Sequence, residues 1–118
     1  MTFYAKCLDA QLQLSSYSSI PGEVAEAEKD RIIHARLSTG SILLMASDNR
    51  PGMPLLQGDN IEISIGCESL PEIERLFAAF LVGGIAKLSL HDSFWGARFG
   101  MLTDRFGIHW MFNFEYPK

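Results

Sequence analysis

Asn60–Gly66 alternates strictly, with Ile61, Ile63 and Ile65 on one face, and the segment that follows abandons that period. From Leu70 the apolar positions are Leu70, Ile73, Leu76, Phe77, Phe80 and Leu81, the spacing of one helical stripe. Ser69 and Glu72 predict a capping box at its start, and Gly83-Gly84 predicts its end. Strand patterns return over Ile85–Leu90, within Phe94–Asp104, and over Ile108–Tyr116, the last after the turn Asp104–Gly107. A chain with this order, β-α-β-β-β, must cover one face of a sheet with one helix, which makes it α+β.

The first half repeats the plan less completely. Met1–Leu8 reads as a short helix with Phe3, Tyr4, Cys7 and Leu8 on one side, and Ala10–Tyr17 as a strand. Ser18–Asp30 reads as a polar loop, with a helical turn as the alternative. Arg31–Ser38 and Ser41–Asp48 form a hairpin about Thr39-Gly40. Gly40 opens a strand pattern that closes at Asp48, eight residues on, and Gly107 opens one that closes at Glu115, also eight on. The expectation is an internal repeat within a single domain, 1–118, with modules 1–48 and 60–116 and a linker 49–59. The first module lacks its first strand.

Composition narrows the function classes. Lys and Arg number 10 against 14 Asp and Glu, a net charge of −4, which argues against a general nucleic-acid binder. With 47% hydrophobic residues there is material for a packed core. No apolar run reaches the roughly 20 residues that span a bilayer, and no secretory leader pattern opens the chain. Cys7 and Cys67 lack metal-pair spacing and read as buried free thiols in a reducing compartment. The expected location is the cytoplasm.

The candidate site residues follow from strand alternation. In Ile108–Tyr116, Ile108, Trp110, Phe112 and Phe114 share a face that needs a helix over it, while His109, Met111, Asn113 and Glu115 share the other. Asn60 and Glu62 oppose the isoleucines of their strand, and His34 and Arg36 oppose Ile33, Ala35 and Leu37. If these polar faces converge they line a cavity; a sheet with one solvated face carries the same residue types. Trp95 and Phe99 are either packing residues or an aromatic grip at a cavity mouth. Arg98 either anchors an anionic group or covers apolar surface with its stem. His91 reads as a surface histidine in a loop after Leu90, and Met45 and Met111 as core filling or pocket wall. There is no phosphate-binding glycine loop, no H-E-x-x-H and no nucleophile elbow. Histidines and glutamates here suit Zn²⁺, Ni²⁺ or Fe²⁺ by ligand type, without motif spacing.

The stretch Ser93–Glu115, SFWGARFGMLTDRFGIHWMFNFE, closely resembles the signature of PhnB-like proteins. These are a branch of the vicinal oxygen chelate superfamily, with glyoxalase I, extradiol dioxygenases and bleomycin-resistance proteins. Ile33–Leu37, Leu43–Asp48 and Phe3–Cys7 extend the resemblance along the chain. It implies two β-α-β-β-β modules forming a cupped mixed sheet around a ligand cavity. This chain departs from the pattern by beginning inside the first helix. An open edge on the first module is therefore expected, covered by a second copy in a homodimer unless the start codon lies upstream. In metal-dependent relatives the ligands come from the first and last strands of each module. The matching positions here are Asn60 and Met111, so the usual site is not expected intact, and His34, His109 and Glu115 remain at offset positions.

The favoured expectation is a protein that binds a small aromatic or anionic molecule without turning it over, with Trp95, Phe99 and Arg98 as a rim and Asn113 and Glu115 as a polar wall. The alternatives are a divalent-metal enzyme of glyoxalase or dioxygenase type, with Glu115 or Glu62 moving a proton, and a relative without an intact site. Similar sequences carry ubiquinone-precursor methylation labels, discounted because no nucleotide-cofactor loop is present.

Overall fold

The computed structural model describes residues 1–19, 29–49 and 52–117. They divide into two units, Met1–Leu56 and Gln57–Lys118. The segment 20–28, most of the expected polar loop, lies outside the described residues.

In the first unit, helix α1 (Thr2–Leu8) is followed by strands β1 (Gln11–Ser16), β2 (Ile32–Thr39) and β3 (Ile42–Ala46), an antiparallel sheet of order β1-β2-β3. A three-residue 3₁₀ turn, Tyr17–Ser19, follows β1. Asp9 takes the left-handed conformation at the end of α1. The helix buries Tyr4, Cys7 and Leu8, and the sheet buries Ala35 and Leu37, which makes the core of this unit. β3 stops two residues before the expected Asp48. There the Asp48 amide still donates to Ile32 O at 2.8 Å, but the Ile32 amide donates to the Asp48 carboxylate at 2.7 Å, a side-chain bond in place of the returning backbone one.

In the second unit, β4 (Ile63–Gly66) leads into α2 (Leu70–Leu81), then β5 (Ile85–Asp92), β6 (Ala97–Thr103) and β7 (His109–Glu115). The order is β4-β7-β6-β5, with β4 parallel to β7 and the other pairs antiparallel. This is the predicted β-α-β-β-β succession beside the predicted α-β-β-β, and the mixed α+β class holds. α2 begins as expected, with Ser69 Oγ accepting the Glu72 amide at 3.2 Å. The reciprocal bond differs from a standard capping box: Glu72 Oε1 accepts the amide of Glu68, one residue before the cap, at 3.3 Å. Ile73, Leu76, Phe77 and Phe80 of α2 are buried against Leu102, Trp110 and Phe112. Phe80 sits 4.8 Å from the Trp110 ring and 5.2 Å from Phe112, both edge-to-face. Gly100 is required by this packing, because a Cβ there would lie 2.8 Å from Phe77 and 2.9 Å from Leu90.

Two sequence boundaries are corrected. β4 starts at Ile63, not Asn60, so Asn60 and Glu62 precede the strand. Its partner explains most of this: Ile63 pairs with Trp110, and β7 begins only at His109, leaving no strand opposite residues 60 and 61. β5 runs to Asp92, so His91 is in a strand rather than a loop, paired with Phe99. The hairpin turn comes later, where the Ser93 amide donates to Ala97 O at 2.7 Å and Gly96 takes φ 84°.

Candidate functional site

The register of the second sheet sorts its side chains onto two faces. One face carries Trp110, Phe112, Leu102 and Gly100 and lies under α2. The other is built in cross-strand rows. His91 pairs with Phe99, Phe99 with Asn113, and Asn113 with Gly66, so these four form a row across all four strands. The next row is Leu88, Met101, Met111 and Ser64. Beyond it Ile85, Thr103 and His109 align. At the opposite end Ala97 faces Glu115. Phe99, Met101, Met111, Asn113 and His109 are half-buried and Glu115 is exposed. Directly opposed residues on one face lie close enough to share a single ligand.

Around the first row the contacts are aromatic. Trp95, half exposed, meets the Phe99 ring at 5.3 Å and the fully exposed Phe94 at 5.1 Å, while His91 meets Phe99 at 6.3 Å. His91 Nδ1 lies 3.0 Å from Ser89 O. A carbonyl can only accept, so Nδ1 carries the proton and Nε2 is the accepting nitrogen of the neutral ring. At the far end, Thr103 Oγ1 and His109 Nδ1 are 2.9 Å apart. Lys87 of β5 reaches Glu62, ahead of β4, at 2.5 Å. Those strands are at opposite edges of the sheet, so this ion pair bridges its width near the Thr103–His109 row.

A hollow of about 490 Å³ opens beside this face at the end of β4, lined by Gly66, Cys67, Glu68, Asn113, Phe114 and Glu115. Gly66 needs no special backbone conformation, and a Cβ there would meet nothing within 4 Å; its missing side chain leaves room. The Cys67 thiol is pushed up to about 12, first by burial and then by the Glu72 carboxylate, so it is no nucleophile near neutral pH. A second hollow of about 210 Å³ includes Asn60, Ile61, Gly107 and His109 among its walls.

The structure therefore brings Phe99, His109, Met111, Asn113 and Glu115 to one face, with Trp95 in ring contact with Phe99. Arg98 is separated from them. It pairs with Phe114 on the α2 side of the sheet and places its guanidinium 3.4 Å from Asp92. Tyr116 donates its hydroxyl to the same carboxylate at 2.6 Å. That bond holds the Asp92 carboxyl below its ordinary range and raises the Tyr116 hydroxyl. His34 and Arg36 belong to the first unit, exposed on the sheet face away from the buried Ala35 and Leu37. Arg36 pairs there with Met45, which is 61% exposed and therefore not core filling. Sequence reasoning missed Gly66, Thr103 and Met101. The alternation of β6 contained the last two, whereas Gly66 carries no local signal of its neighbours.

A family model described as 3-demethylubiquinone-9 3-methyltransferase matches residues 1–112. The chain belongs to that family. It is the PhnB-like family that the resemblance pointed to, and its fold is shared with the glyoxalase/bleomycin resistance structures. Protein PA1353 from Pseudomonas aeruginosa is similar at 43% identity and a TM-score of 0.86, over 97% of this chain and 85% of that one. A Bacillus cereus structure described as a putative 3-demethylubiquinone-9 3-methyltransferase, PhnB protein, superposes at TM-score 0.74 with 22% identity, over 97% and 87%. A glyoxalase/bleomycin resistance protein/dioxygenase family enzyme from Burkholderia phytofirmans PsJN superposes at 0.63 with 12% identity, over 98% and 87%. The last two establish shared fold.

The donor set does not fit the divalent ion that the resemblance implies for metal-dependent relatives. Met111 offers a thioether, a poor ligand for hard divalent ions, and Asn60 lies outside the strand. Among the described residues no three His, Cys, Asp or Glu side chains gather into a metal-binding group. Among them, too, no helix is long and apolar enough to cross a membrane.

Proposed function

We propose that this PhnB-like protein is a small-molecule-binding module whose ligand lies on the face of the second sheet away from α2. The observation that carries this reading is the row His91, Phe99, Asn113 and Gly66, flanked by Trp95 and opening on the 490 Å³ hollow. Aromatic walls with a few convergent polar groups are the usual make-up of a small-molecule site. The test is a ligand screen read by native mass spectrometry and by the Asn113 side-chain amide resonance. Compounds that shift that resonance in the native protein and fail to do so in Phe99→Ala support the reading. A screen whose hits all leave it unmoved refutes it.

Methyl transfer, the activity in the family's description, is not proposed. The described strands form antiparallel ladders with one parallel pair, without the strand–helix alternation that cradles a nucleotide cofactor.

The same proposal includes a homodimer. In the second unit β4 covers the outer edge of β7, whereas among the described residues the outer edge of β3 has no strand on it. An open edge favours pairing with another chain. Native mass spectrometry of the purified protein reads the protomer count directly, and a monomer at all concentrations would remove this part.

A further inference from the structure

We infer that the ligand of this face is a flat aromatic molecule that is neutral or cationic, carries a hydrogen-bond donor, and seats its polar head in the hollow beside Gly66. This deepens the binding-module reading and rests on it.

Three observations carry the inference. The first is charge. Among the described residues, the carboxylates of Glu68 and Glu115 line the hollow, and no cation does. The cations around it do not line it: Arg98, beside Phe114, places its guanidinium 3.4 Å from Asp92 with Nε buried, Arg75 acts on the buried Cys67 thiol from outside the lining, and Lys87 is held by Glu62 at the far end of the sheet. An anionic head in the hollow would meet the like charge of its two lining carboxylates. The second is hydrogen-bond polarity. With Nδ1 protonated against Ser89 O, His91 offers Nε2 as an acceptor beside Phe99, the Glu115 carboxylate only accepts, and the Asn113 amide can both accept and donate. The face thus asks for a donor. The third is shape. Trp95, Phe99 and His91 form an edge-to-face ring series that suits a planar π-system. Gly66 leaves the β4 side of Asn113 without a side chain, opposite the Phe99 ring on its β6 side.

The experiment uses the native protein and four naphthalene probes of nearly equal size: naphthylmethylammonium, naphthol, methoxynaphthalene and naphthalenesulfonate. Affinities come from isothermal titration calorimetry, and positions from the Asn113 side-chain and Gly66 backbone resonances. The ammonium and the naphthol are expected to bind at least about tenfold more tightly than the sulfonate. Methoxynaphthalene, which lacks the donor, is expected to fall below naphthol. Glu115→Gln, at an exposed position, should narrow the preference for the ammonium over naphthol. Gly66→Val should weaken the ammonium at least about tenfold, with the far-UV spectrum and melting temperature measured beside it and Gly66→Ala, whose Cβ meets nothing within 4 Å, as the smaller step. Sulfonate binding as tight as the ammonium would overturn the charge assignment while leaving the binding site in place. Unchanged affinity in Gly66→Val would overturn the seating of the head. If no probe binds and the Asn113 resonance never moves, this inference and the binding-module reading fail together.

Discussion

The indole N–H of Trp110 donates to the carboxylate of Asp104 at 2.8 Å, and both residues are almost wholly buried. The other oxygen of that carboxylate accepts the amides of Phe106 and Ile108 at 2.8 and 3.0 Å. One side chain therefore closes the β6–β7 turn and ties it to the largest ring of the core. The same turn sets the register that puts Phe99 opposite Asn113 and Thr103 opposite His109.

Asp104→Ala should strand three donors, one of them buried. A loss of about 2–4 kcal/mol is expected from urea unfolding at neutral pH. Trp110→Phe removes only one of the three bonds and should cost less. Equal losses for the two would show that the turn bonds contribute nothing of their own.

Phe80 fills the space between α2 and the Trp110–Phe112 pair, with no exposure. Phe80→Ala is expected to cost about 3–5 kcal/mol through lost burial and a residual cavity. Gly100→Ala introduces the opposite fault, a methyl 2.8 Å from the Phe77 ring, and should cost about 1–3 kcal/mol. Both are read by chemical denaturation, and a neutral Gly100→Ala would mean that Phe77 and Leu90 give way freely.

Tyr116→Phe should return the Asp92 carboxyl toward its ordinary 3.8, since the tyrosine hydroxyl is the leading cause of its depression. Asp92 has a lowered pKa in the fold, so its contribution is present above 3.8 and disappears as pH falls through the depressed value. Tyr116 has a raised pKa, so its contribution is present below 10.0 and is lost as pH rises through the raised value. NMR titration of the Asp92 carboxyl carbon in native and variant chains checks the acid limb. An unmoved midpoint would remove the hydroxyl as the cause.

Cys67, pushed up to about 12, should react very slowly with iodoacetamide at pH 8 in the folded chain and at an ordinary rate in denaturant. Mass spectrometry of the alkylated peptide gives the ratio. Glu72→Gln removes a secondary cause and should accelerate labelling modestly, with burial still dominant.

Trp95→Ala should weaken an aromatic ligand of the second sheet by about 1 kcal/mol or more, through loss of a ring that contacts Phe99. Arg98→Met should leave the affinity unchanged, because its side chain lies on the α2 side of the sheet. Calorimetry on the naphthyl probes separates them. A large effect of Arg98→Met would place the site on the wrong face.

Most of the fold was legible because its signals are local. The period of residues 60–66, the Ser69 cap and the stripe from Leu70 to Leu81 each follow from a few neighbouring side chains. The faces of β7 were equally plain, with Trp110 and Phe112 buried and His109 and Asn113 on the other side. The separation of Arg98 from Phe99 was also available, since adjacent residues in a strand cannot share a face. The late start of β4 was not, because it depends on where its partner β7 begins.

The sequence by itself determined the order of elements, the helix-covered face of each unit and the aromatic and polar residue types that the open face could present. Periodicity and turn chemistry act over a few residues and leave a direct trace in the chain. Tertiary structure decided which of those residues are neighbours. Gly66 lies beside Asn113, His91 beside Phe99, and Lys87 against Glu62 only because β4, β5, β6 and β7 pair in one register. Register is fixed by packing under α2 and by the Asp104 turn, between residues far apart in sequence, so no local pattern encodes it.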